Sequence, residues 1–246
     1  MSPRIRRYLI ASLWLMCGTA AATGLQVTPT SLSLKPRQNA EALWLSDTGD
    51  GVVHAQVRVY RWTQQAGTDR LVPSQGLVIS PPMLAIKPGE RQLIRVIRVG
   101  APPNGAEATE AAYRLAIDEL PIDLGKGKGG LQFILHYSVP VFVAPVGVAK
   151  AAPRLSWSLQ RAGDHVQLQV SNSGTGHAQL SDVSFVDNQG HRIVVDPGLL
   201  GYVLPGATMQ WMLKPSASDF TGGGTFEARI NGVRVTQAVS LDSRPL

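Results

Sequence analysis

Apolar residues recur at every second position through much of this chain, and a period of two places like parities on one face of a β-strand. The clearest run is Leu131–Val143, LQFILHYSVPVFV. Its odd positions Leu131, Phe133, Leu135, Tyr137, Val139, Val141 and Val143 are all apolar, and the even positions Gln132, Ile134, His136, Ser138, Pro140 and Phe142 are mixed. A typical strand has roughly five or six residues, so this one is long. It also carries Pro140, which cannot donate to a ladder and belongs at an edge, a strand start or a bulge. Two readings follow. The run is a core strand that ends near its proline, or it is an edge left open for pairing with another chain. A long exposed apolar edge would otherwise invite aggregation.

The same rhythm predicts strands along the rest of the chain. Leu25–Leu34 is broken by Pro29 and reads as an edge or as a strand that changes partners at a kink. Glu41–Ser46 is short and ends at the turn Asp47–Gly51. Val53–Trp62 alternates, with Val53, Ala55, Val57, Val59 and Arg61 on the face assigned to the core. Leu77–Ile86 is extended but interrupted by Pro81-Pro82, and Lys87–Glu90 is a turn with proline at its second position. Arg91–Val99 and Ala112–Leu120 follow as strands, and a helix over the latter would be cut off by Pro121. Beyond a linker over 146–153, a second set comprises Leu155–Leu159, His165–Val170, Val183–Val186, Arg192–Val195, Thr208–Leu213, Phe226–Ile230 and Val233–Leu241. Asn231-Gly232 between the last two is a strong hairpin signal. About seven strands in each half, with no convincing helix, predict an all-β protein of two immunoglobulin-like β-sandwich domains.

Composition narrows the picture. Of 246 residues, 44% are hydrophobic and 16% charged, which is globular rather than disordered. Met1–Ala22 reads as a secretory signal: Arg4, Arg6 and Arg7, then apolar Tyr8–Met16, then small Ala20–Ala22. The apolar stretch is short for a membrane span, so no stable membrane insertion is expected after cleavage. The domains are then expected over 23–145 and 154–246. The single cysteine, Cys17, would leave with the signal, as would three arginines and no acid, taking the formal charge from +6 to +3. A disulfide and a thiolate metal site are thereby excluded from the mature chain. No basic patch interleaved with aromatics suggests nucleic acid.

Catalytic and cofactor motifs do not assemble. Gly125–Gly130, GKGKGG, fits G-x-G-x-x-G, but a strand follows where the fingerprint needs a helix; it reads as a loop. His54, His136, His165, His177 and His191 are scattered, without metal-ligand spacing. A nucleophile elbow is absent. Asp118 and Glu119 are adjacent in a strand and should point to opposite faces. The chain is therefore expected to be no enzyme and to need no cofactor or metal.

Several segments together resemble a known family. They are the kinked opening strand, Ser80-Pro-Pro82, Ile86-Lys-Pro-Gly89, Gln92–Val96, Tyr113-Arg-Leu115, Glu119-Leu-Pro121 and the long strand 131–143. The chain is similar to periplasmic pilus-assembly chaperones of the chaperone–usher pathway, and SVPVFV and RVYRW look most like the archaic branch (Csu or spore-coat-U type). The resemblance implies a boomerang of two sandwiches with a cleft between them. It implies that the protein lends a strand to pilin subunits in the periplasm, and that an outer-membrane usher later exchanges that strand. Self-capping dimers are a further expectation. Backbone bonds give affinity in this mode and alternate side chains enter pockets, so Leu131, Phe133, Leu135, Tyr137 and Val139 are the candidate subunit-binding residues. Where the better-known branch anchors a subunit carboxylate with Arg and Lys, this chain aligns Ser31 and Pro140. Arg95 and Arg114 are the substitute candidates. An interdomain Arg of the family is Ala144 here, so the joint must be held differently. The competing reading is a secreted adhesin or pilus structural subunit. It would need a donor extension, yet only two residues precede Leu25 after the expected cleavage.

Overall fold

The computed structural model describes residues 24–120, 134–147, 150–220, 222–239 and 241–245. The expected signal, the glycine-rich loop, Leu131 and Phe133 lie outside the described residues.

Among the described residues, ten strands lie before residue 146: β1 (Leu25–Thr28), β2 (Leu32–Leu34), β3 (Ala40–Asp47), β4 (Val53–Gln65), β5 (Thr68–Pro73), β6 (Leu77–Ser80), β7 (Met83–Ile86), β8 (Arg91–Arg98), β9 (Ala111–Glu119) and β10 (His136–Val143). They form two sheets, one ordered β1-β3-β8-β6 and the other β2-β10-β9-β4-β5 with β7 also on β4. The expected kink at Pro29 is a change of sheet: β1 pairs β3, while β2 joins the facing sheet beside β10. Between the sheets lies a core of alternating side chains, among them Leu43 and Leu45 from β3, Ala55 and Val57 from β4, Ile94 and Val96 from β8, and Leu115 and Ile117 from β9.

Eight more follow among the described residues: β11 (Leu155–Ala162), β12 (His165–Asn172), β13 (Ala178–Asp187), β14 (Arg192–Val203), β15 (Thr208–Met212), β16 (Gly224–Ile230), β17 (Val233–Val239) and β18 (Leu241–Pro245). Their sheets are ordered β15-β12-β11-β18 and β14-β13-β16-β17. Inward Val166, Leu168 and Val170 meet Phe185, Phe226 and Phe220, the last from a 3₁₀ turn. Asn231 and Gly232 both have positive φ, +50° and +81°. That is the type I′ geometry the Asn-Gly pair favours. The stretch read as one strand over Val233–Leu241 is two: β17 pairs β16, and β18 crosses to the other sheet to run parallel to β11.

Buried Asn172 ties the start of the second sandwich, at Arg154, to the 173–176 turn and to β14. Its Nδ2 donates to Gly176 O (2.8 Å) and Val203 O (3.0 Å), and its Oδ1 accepts from Arg154 N (3.0 Å) and Gly174 N (2.9 Å). The 173–176 turn lies so close to the 152–154 backbone that a Cβ on Gly174 would stand 2.3 Å from Ala152 O. Only glycine fits there.

A half-open edge strand beside a cleft

Strand β10 is paired on one side throughout, from His136↔Asp118 to Val143↔Ala111 on β9. On the other side, among the described residues, only Val141, Phe142 and Val143 are covered, by Leu32, Ser33 and Leu34 of β2. His136 to Pro140 therefore form an open edge. Glu119 N donates to Leu135 O (3.0 Å), which marks the odd positions as those bonded to β9. The even positions turn their backbone groups to the open side, and Ala144 N, on that parity, reaches Leu34 O at 2.9 Å. Pro140 is of this parity, so its missing N–H costs the β9 ladder nothing.

The odd side chains face the seam between β10 and β1. Leu135 is half-buried, packs on the core and reaches the Gly24 backbone. Tyr137 is also half-buried and donates its hydroxyl to Leu25 O, and burial pushes the phenol pKa up, with Glu119 nearby adding to this. Val139 is enclosed in the core of its own sandwich. Its side chain holds the strand down rather than projecting toward a partner. Ile134, of even parity and so among the mixed positions of the run, has a side chain 55% exposed two residues before this edge.

The two candidate cations separate. Arg95 is exposed on β8, between buried Ile94 and Val96, so it points outward from the sheet facing β10 across the core. The expectation that it stands near the edge strand is corrected: its register places it beside Ala42 and Ser80. Arg114 lies opposite Pro140 on β9, and its Nη1 donates to Ser138 O (3.3 Å). Its guanidinium stacks 3.7 Å from the Trp62 ring and 5.1 Å from that of Tyr202. Burial lowers its pKa, against the attraction of Tyr202 and Asp69. It lines a cleft of about 240 Å³ between the two sandwiches with Gln64, Asp69, Leu199, Tyr202 and Trp211. Ser31 lies in the bend between β1 and β2 and is exposed.

The same face carries the joint between the sandwiches. Trp62 and Phe142 stand on the parity opposite the first core, and both are buried against the second sandwich. The Phe142 ring stacks on His177 at 3.5 Å and 2°, and Trp62 meets Tyr202 edge-on at 5.3 Å. Glu110 Oε2 accepts from His177 N (2.9 Å) and Nδ1 (2.5 Å), and Glu110 N donates to Thr175 O (2.9 Å). Gln64 bridges likewise, donating to Tyr202 O and accepting from Leu204 N. His177, read in the sequence as one scattered histidine, is a structural part of this joint. Further along the open strand, Arg58 and His136 both bind Asp118, at 2.7 and 2.5 Å. Among the described residues, no cluster of three or more His, Cys, Asp or Glu could hold a metal. No helix among them is long and apolar enough to cross a membrane.

Fold and site together define a class: an all-β protein of two sandwiches whose distinctive feature is a strand edge left half unpaired beside a cleft. The family model for pili and flagellar-assembly chaperones (PapD N-terminal domain) matches residues 24–149, and the chain belongs to that family. It is a family of chaperones rather than of enzymes. No curated protein sequence matches the chain. Solved structures share its fold. One is the CsuC–CsuE chaperone–tip adhesion subunit pre-assembly complex from archaic Csu pili of Acinetobacter baumannii. It is 23% identical, with TM-score 0.68, covering 89% of this chain and 100% of that one. The E. coli chaperone DraB is 17% identical (TM-score 0.60, 89% and 97% covered). SafB of Salmonella enterica, solved with the SafA pilin, is 16% identical (TM-score 0.59, 87% and 93% covered).

Proposed function

We propose that this protein is a periplasmic chaperone of the archaic type that holds pilin subunits by lending them the open edge of β10, and then hands them to an outer-membrane usher. The unpaired rim at His136–Pro140 carries the reading. An incomplete subunit sandwich would bond to the even-parity backbone groups of this rim, as β-strand addition requires. Leu135 and Tyr137 already face an unsealed seam, and Leu131 and Phe133 extend the same parity. Burying each such side chain contributes about 1.5–3 kcal/mol, so capture is strong while strand exchange remains available for release. Arg114, stacked in the cleft within reach of Ser138 O, is the group that would receive a subunit carboxylate. The first sandwich, over 23–145, presents the edge; 146–153 links it to the second, over 154–246. Without a subunit, a second copy can cap the same rim.

Family membership and the likeness to chaperones solved with their subunits support this reading over that of a pilus subunit. The test is co-purification of the mature chain with its pilin. Leu135→Asp should abolish the complex, and so should Ser138→Pro, which blocks the open side while sparing the β9 ladder. Circular dichroism must show both variants folded. Full recovery of pilin with folded Ser138→Pro would refute the use of this edge.

A further inference from the structure

A second unfinished edge lies on the other sandwich, at β17. Among the described residues the sheet order ends there, and its seven residues pair β16 in unbroken register from Ile230↔Val233 to Gly224↔Val239. A two-residue hairpin makes Ile230 and Val233 a bonded pair. Arg234, Thr236 and Ala238 therefore turn their N–H and C=O groups away from the sheet. Natural edges are usually blunted by proline, bulges or cover; β17 has no proline and no bulge. Its inward parity is not closed over either: Val233 is 66% exposed and Val235 36%. Both lie along a groove of about 560 Å³ whose opposite wall is Leu155 and Trp157 of β11, with Ile230 at one end. That wall is open because β18 pairs β11 only from Leu159 onward.

The outward parity differs in charge. Arg234 stands there beside Arg229 and Arg192, while Asp182 and Glu227 already bind Arg229 and Arg192 respectively. Lys150 adds a cation at the groove. A second copy of β17, VRVTQAV, carries no carboxylate that could meet Arg234. A strand with apolar residues on one parity and acidic residues on the other meets both faces.

We propose that β17 is a docking edge for an extended segment of a partner polypeptide with alternating apolar and acidic side chains. The segment adds as a fifth strand, its apolar residues entering the groove over Trp157 and its carboxylates meeting Arg234. This site is independent of the β10 rim.

The probe is a synthetic heptapeptide of alternating valine and glutamate, with a valine–lysine peptide as control, added to the mature chain. Amide hydrogen exchange at Arg234, Thr236 and Ala238 should slow with the acidic peptide and not with the basic one. Thr236→Pro removes an outward N–H and should weaken binding by at least about tenfold, with pilin capture at β10 unchanged. Arg234→Glu should reverse the peptide preference. Absence of protection, protection only on β10, equal binding by Thr236→Pro, or a dimer in solution that Thr236→Pro dissolves would each overturn the proposal.

Discussion

Phe142→Ala is the sharpest test of how the two sandwiches are joined. The ring is 2% exposed, lies flat on His177 and is 6.1 Å from Trp62. Its backbone is held between β9 and β2, so the strand has little freedom to collapse into the space left behind. Truncating a buried Phe costs about 3–5 kcal/mol. For a chain of this size, each kcal/mol moves the melting temperature by roughly 2–4 °C, so a fall of about 6–20 °C is expected. The ring bridges the sandwiches, so calorimetry should also show one transition in the wild type separating into two in the variant. His177→Ala should also destabilise, since it removes the stack, worth about 0.5–1.5 kcal/mol beyond area burial, together with the Nδ1 bond to Glu110. A fall of under about 2 °C for Phe142→Ala, with a single transition retained, would show that the joint does not depend on this ring.

Other expectations are narrower. Arg114→Ala should erase the preference of the chain for a pilin C-terminal peptide with a free carboxylate over its amide, a loss of about ten- to hundredfold if a charged hydrogen bond is involved; titration calorimetry reads this directly, and an unchanged preference would exclude Arg114 from the role. For Asp118, burial raises the pKa, but hydrogen bonds and attraction from Arg58 and His136 outweigh it and hold the carboxyl below its ordinary 3.8. Its contribution to stability is therefore complete above that value and is lost as pH falls through the lower folded value. The urea midpoints of wild type and Asp118→Asn should differ at pH 7 and converge as the pH falls below 3.8; a constant gap would contradict the ion pairs. Gly232→Ala should destabilise by about 1–2 kcal/mol, since φ is +81° at that turn, and a neutral result in chemical denaturation would mean the hairpin can change turn type.

Alternation made the strands legible wherever one face met a core. It found β3, β8, β12 and β16 to within a few residues because inward and outward positions differ there in polarity. It missed β5, all six of whose residues are exposed, leaving no periodic signal. It ran β17 into β18 because a change of sheet leaves the apolar rhythm intact. The open edge was recognisable from the length of the apolar run and from Pro140, but its extent depends on where β2 begins, which is a tertiary fact. Val139 shares the parity of Leu135 and Tyr137, so sequence could not separate the side chain sealed inside from those at the seam. Trp62 and Phe142 occupy the nominally polar parity of their strands; only the arrival of the second sandwich makes that face a core. Arg95 and Arg114 looked alike as strand arginines, and the sheet to which each strand belongs is what distinguishes them.

The three-residue clasp of β2 on β10 also acts as a ruler. Any strand that zips along β10 must halt at Pro140, because Leu32–Leu34 already occupy the adjacent lane. The incoming strand cannot slide further, so its alignment is set by where it stops as well as by side-chain fit. Shortening β2 would lengthen the track and permit slippage, whereas extending it toward Ser31 would leave too little rail for a guest to grip.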